Sequence, residues 1–136
     1  MNSTRSSLFL IELIIAILFF SLGSAVCVQA FVKAHTVSRE ARDLSFASST
    51  VSSAASVVKY AGDGLTGFQA YFPEARQADD GGYAVWYDGG FAPCEPADAV
   101  YTLRVLPGME ENARTARVWM DGRDGQTVYE LDLRYP

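Results

Sequence analysis

The run from Leu8 to Val32 constrains this chain more than any other feature. It is apolar all round, about 25 residues long, and long enough to span a bilayer as a helix. Helical composition continues beyond it. No proline interrupts Leu8 to Ala61, and Gly23 is the only glycine there. From residue 33 onward Val37, Ala41, Leu44, Ser48, Val51, Ala55 and Val58 recur at steps of four and three, the period of a helix face that packs on something. Gly62-Asp63-Gly64 supplies a stop. The spacing therefore predicts one continuous helix from Leu8 to Ala61, with a transmembrane half (8–32) and an amphipathic half (33–61). The many serines from Ser45 to Ser56 weaken intrinsic helix propensity, so the second half needs tertiary packing to hold it.

After Gly62 the pattern switches to a period of two. Tyr83-Ala84-Val85-Trp86-Tyr87 is aromatic and β-branched. Val100 to Leu106 sets Tyr101, Leu103 and Val105 against Thr102 and Arg104. Thr115 to Met120 groups Ala116, Val118 and Met120. Val128 to Tyr135 gives the cleanest alternation, with Tyr129, Leu131, Leu133 and Tyr135 opposite Glu130, Asp132 and Arg134. The segment 121–125 reads as a hairpin loop, Pro107-Gly108 as the start of the preceding connection, and Leu65 to Asp80 as a loop with one short element near Phe68 to Phe72. The predicted fold class is α+β: a long N-terminal helix packed on a small antiparallel sheet of about four strands. Each element has an apolar face that the other covers. Leu44, Val51 and Val58 are expected beneath the strands at 100–106 and 128–135.

Within the apolar run stands Glu12, an ionisable residue at membrane depth. A carboxylate there costs roughly 2.5–3.5 kcal/mol near a bilayer centre and less near an interface, so Glu12 either has a function and a partner or lies close enough to the interface to reach water. The order Leu8-Phe9-Leu10-Ile11-Glu12, preceded by a short leader (1–7) carrying Arg5, resembles the N-terminal segment of type IV pilins and of the pseudopilins of type II secretion and competence systems. Ser7 stands where that family usually has glycine, Leu8 where it has phenylalanine, and Gln29 near the place of a helix-kinking proline. The resemblance implies several things. A prepilin peptidase cleaves between Ser7 and Leu8, and the new Leu8 amine is methylated. Glu12 pairs with a neighbouring subunit's N-terminal amine during assembly. The chain is a structural subunit, a minor one, whose partners are other pilin or pseudopilin subunits and the lipid of the cytoplasmic membrane. Its N-terminus lies in the cytoplasm and its sheet domain (62–136) outside, in the inner membrane or a cell-surface filament.

Two other readings stay open: a single-pass anchored protein with a small binding ectodomain, and a secreted protein whose signal peptide is cut after Ala30, where Val28-Gln29-Ala30 has the small residues that such a cut needs. Net charge is −5 overall. Before Gly62 the bases Arg5, Lys33, Arg39, Arg42 and Lys59 outnumber the acids Glu12, Glu40 and Asp43; beyond it acids dominate. An acidic outer domain argues against direct nucleic-acid binding, which needs phosphate-neutralising Lys and Arg. No catalysis and no cofactor are expected. The single histidine, His35, has no nucleophile or metal partner in the sequence. Asp79-Asp80-Gly81-Gly82 and the 121–125 loop have residues that suit calcium, but turn chemistry accounts for both and no metal is assigned. Cys27 lies at membrane depth, as a small buried hydrophobe, and Cys94 lies outside, so no disulfide is expected to join them.

Overall fold

The computed structural model describes residues 2–61 and 64–136. It divides into two compact units, Met1–Glu40 and Ala41–Pro136. Helix α1, Asn2–Ala61, contributes to both. It starts six residues earlier than Leu8, because the polar leader has neither proline nor glycine to stop it. Gly62 and Asp63 of the predicted stop lie outside the described residues; Gly64 leads into α2, Leu65–Gln69.

In the first unit α1 stands alone. By length and composition it is long and apolar enough to cross a membrane, and its apolar stretch is not buried. Cys27, expected to be buried, is exposed here because a single helix offers nothing to pack against.

In the second unit the rest of α1 lies on a five-stranded antiparallel meander in the order β1-β2-β3-β4-β5. The strands are β1 (Arg76–Gln77), β2 (Tyr83–Tyr87), β3 (Tyr101–Glu110), β4 (Ala113–Asp121) and β5 (Thr127–Tyr135). The α+β architecture is the predicted one, with one strand more than expected. That strand, β1, is a polar pair too short to carry any alternation, and it exists because the turn after it folds it back on β2 (Arg76↔Ala84, Gln77↔Tyr83). In that turn Ala78 N–H donates to the Gly82 carbonyl at 2.8 Å and Gly82 N–H to Asp80 Oδ1 at 3.0 Å. Gly82 passes so close to β3 that a Cβ would stand 2.1 Å from the Val105 carbonyl oxygen, which excludes any larger residue.

The register brings the alternating apolar residues onto one face. Val85 lies opposite Leu103, Leu103 opposite Met120, Val105 opposite Val118, and Val118 opposite Leu131. Against this face α1 buries Ala47, Val51, Ala54, Ala55 and Val58, a stripe at steps of four, three, one and three. Val51, Ala55 and Val58 are the residues the periodicity picked out. Leu44 is not buried: it is 48% exposed, as Val37 is exposed, because the covered stripe runs back through Ala47 and Asp43. Alanines form much of that contact. The row on β5 is covered less than expected, with Tyr129, Leu131 and Leu133 half-buried at the margin.

Pro107 and Gly108 are not a connection. They belong to β3, opposite Ala116 and Thr115. The register with β2 ends at Val105, so Pro107 sits where β3 is an edge, and a missing N–H is tolerated there. The chain reverses instead at Glu111-Asn112, both at positive φ (49° and 70°), as a two-residue hairpin loop requires. The β4–β5 loop is where the sequence put it, closed by Gly122 N–H to the Gln126 carbonyl at 2.8 Å, with Gly125 at φ 76°. The element expected near Phe68 is α2, whose Phe68 stacks on Phe72 (4.8 Å) and Tyr83 (5.5 Å).

Candidate functional site

Ser7, Leu8 and Glu12 all lie on α1 in the first unit. Leu8 and Glu12 are four residues apart, one turn above the other on the same face. The Ser7–Leu8 bond is inside the helix, so a protease must unwind the first turns to reach it. Leu8, Phe9, Leu10, Ile11 and Leu13 are each about half exposed or more. Glu12 is exposed among them, with no ion pair among the described residues. Chemically this is a carboxylate set in an apolar surface. In a low-dielectric setting it attracts a cation far more strongly than in water, and an unpaired charge there is costly.

The second unit holds a cluster that the sequence pattern did not reveal. Tyr101, at the start of β3, is 1% exposed. Its hydroxyl donates to Asp43 Oδ1 of α1 at 2.6 Å, and Arg123 of the β4–β5 loop lies over its ring at 6.0 Å. Phe46, one turn on from Asp43, stacks on Phe91 at 4.3 Å and meets Tyr101 and Tyr87 edge-on at 5.8 and 5.3 Å. Phe91 has φ 65°, uncommon for an aromatic residue. Its loop is held by Asp88, whose Oδ1 accepts from the N–H groups of Gly90 and Ala92. Together these residues lock α1 to the sheet at Asp43. The hydrogen bond spans 58 residues of sequence, and nothing local to either partner announces it. Burial raises the Tyr101 pKa, the bond to Asp43 adds to this, and Arg123 opposes it. Tyr101→Phe is expected to lower stability by about 1–2 kcal/mol, the worth of a hydrogen bond to a charged group at a half-buried site. A fall in urea midpoint at unchanged slope is the measurement.

Tyr87 gives a second test. Burial, with help from Glu74, pushes its pKa up to about 12. In the unfolded chain a tyrosine titrates near 10, so between pH 10 and 12 the unfolded state loses a proton that the native state keeps. Stability is therefore complete below pH 10 and falls as pH rises toward 12, by at most about 2–3 kcal/mol from this group. Urea midpoints across that range should show the fall, and Tyr87→Phe should reduce it, leaving the part that comes from Tyr101.

Asp79, Asp80 and Gly81 form the β1–β2 turn, with Gly81 at φ 87°. Among the described residues no three His, Cys, Asp or Glu side chains converge on a common point. His35 lies on exposed helix. Cys94 is half-buried and free, and burial with nearby Asp88, Asp98 and Glu95 raises its thiol pKa. No protein-family model, curated protein or solved structure matches this chain.

Proposed function

We propose that this chain is a structural subunit, a minor one, of a type IV pilus or of a competence or type II secretion pseudopilus. It assembles through the first half of α1. The observation that supports this is Glu12 among exposed apolar side chains on a helix long enough to span a membrane. Packed beside copies or relatives of itself, such a helix buries its apolar surface, and the carboxylate then needs a cation at the same depth. A free amine on Leu8 of a neighbour, created by cleavage after Ser7, is a cation at the right end of the helix. In this reading the apolar first half of α1 lies in the inner membrane, and residues 62–136 lie outside the cytoplasm or at a filament surface. Prepilin peptidase and other subunits are the partners this requires.

Mass spectrometry of the mature N-terminus tests the reading. A chain beginning at methylated Leu8 is the expected result. A chain beginning at Phe31 assigns a signal peptide and overturns it. An intact Met1 leaves a membrane-anchored pilin-like protein that is not processed, with Ser7 at the junction as the reason.

A further inference from the structure

The two margins of the sheet differ. At one, β1 is two residues long, and its Arg76 Nη2 donates to both oxygens of Glu95 at 3.0 and 2.8 Å. A short edge with a tethered charge offers little ladder to another chain. At the other margin β5 is nine residues long. Its register with β4 is regular up to a single shift at Met120/Asp121, and the sheet order ends with it. From Val128 to Arg134 there is no proline and no glycine. Along an edge strand alternate N–H and C=O groups point away from the sheet, ready to pair.

The side chains on both faces of β5 describe what would pair with it. On the inner face Tyr129, Leu131 and Leu133 are half-buried, whereas their β4 neighbours Met120, Val118 and Ala116 are buried. The apolar layer thus continues past β4 and stops half-covered. On the outer face are Glu130, Asp132 and Arg134. The strand already beside them shows the complementary pattern: Ala116 and Val118 face inward, and Arg117 between them reaches Glu130 Oε2 at 2.6 Å and Asp132 Oδ1 at 3.9 Å.

We propose that β5 accepts an extended strand from a partner protein, added edge to edge. That strand carries Lys or Arg on the face that meets Glu130 and Asp132. It carries branched aliphatic or aromatic residues on the face that meets Tyr129, Leu131 and Leu133. Backbone hydrogen bonds supply affinity and the alternating side chains supply selection. The two carboxylates share one arginine, Arg117, and Arg134 lies 3.8 Å from Glu111, so a cation from the added strand balances the remaining negative charge and an acidic strand adds to it. This inference concerns the second unit alone and stands or falls independently of assembly through α1.

The test uses the full chain in detergent micelles. The probes are a peptide of four Val-Lys repeats and the same peptide methylated at its backbone nitrogens, which keeps side chains and charge but removes the donors. The Val-Lys peptide is expected to slow amide exchange at alternating residues within Val128–Arg134. The methylated peptide is expected to bind at least about tenfold more weakly, because its backbone donors to the strand edge are lost. The double substitution E130K/D132K should reverse the preference toward a peptide of four Val-Glu repeats. Equal binding of the two Val-Lys peptides, protection elsewhere on the sheet, or no binding at millimolar peptide overturns the proposal. So does self-association that Leu131→Lys abolishes while neither peptide binds, which assigns the edge to a second copy. The comparison of methylated and unmethylated peptides uses the unsubstituted chain, so it holds even if a variant fails to fold.

Discussion

A chain beginning at Gly62 is expected to lose cooperative unfolding, whereas one beginning at Lys33 unfolds in a single transition. The shorter chain keeps every strand but loses Ala47, Val51, Ala54, Ala55 and Val58, each at most 5% exposed in the native packing. Beneath them Val85, Leu103, Val105, Val118 and Met120, now buried to within 2% of completely, become an open apolar face. Fully burying one such side chain is worth about 1.5–3 kcal/mol, against about 5–15 kcal/mol for a whole domain. Uncovering five removes most or all of the margin, and a contiguous apolar patch of that size associates. Thermal unfolding followed by circular dichroism, with light scattering alongside, separates the outcomes. A cooperative transition in the shorter chain that matches the longer one would mean that α1 is a stalk and that the packing account is wrong. The Tyr101–Asp43 bond and the Phe46–Phe91 stack would be lost in the same truncation, so the effect exceeds that of any single core substitution.

The elements that the sequence revealed are those whose period is written in strongly apolar residues. Tyr83 to Tyr87 matches β2 end to end because it is a short aromatic and β-branched run, and β5 differs from the expected Val128–Tyr135 by one residue because its apolar and charged residues alternate from Tyr129 on. The long helix was legible for a simpler reason: nothing in it can stop a helix. The misreadings have physical causes too. Leu44 falls on the seven-residue row of Val51 and Val58, which points it at the core by spacing alone. The helix face in contact is set by alanines and by Asp43, which lie off that row. Pro107-Gly108 resembles a turn, but β3 tolerates both where it has no neighbour on one side, and the reversal falls to Glu111-Asn112, neither a glycine. β1 has no period because two residues cannot show one. The candidate site divides in the same way. Glu12 is conspicuous in sequence because its surroundings are uniformly apolar. The Asp43–Tyr101–Arg123 cluster is invisible there, because it joins three segments that meet only after folding.

Glu12→Ala is expected to leave membrane insertion intact or improved while incorporation into a filament falls at least about a hundredfold. The two effects have opposite signs for one reason. Alone in the bilayer the carboxylate is a cost of roughly 2.5–3.5 kcal/mol near the centre, so removing it favours the inserted monomer. In the proposed assembly the same carboxylate answers a neighbour's Leu8 amine. Removing it leaves that amine desolvated and unpaired, a loss of about 3–5 kcal/mol for a buried pair and more than two powers of ten in an equilibrium. The apolar surface of α1 is unchanged, so a variant that inserts but does not assemble separates the charge from the helix's hydrophobicity. Glu12→Gln sharpens the test: it keeps the shape and a hydrogen-bond acceptor but removes the charge, so it should insert at least as well as the unsubstituted chain and still fail to assemble. Carbonate extraction measures insertion, and co-purification with other subunits measures incorporation. Normal incorporation of the alanine variant would return Glu12 to the role of a residue near enough to the interface to reach water, and the membrane segment would then be an anchor and nothing more.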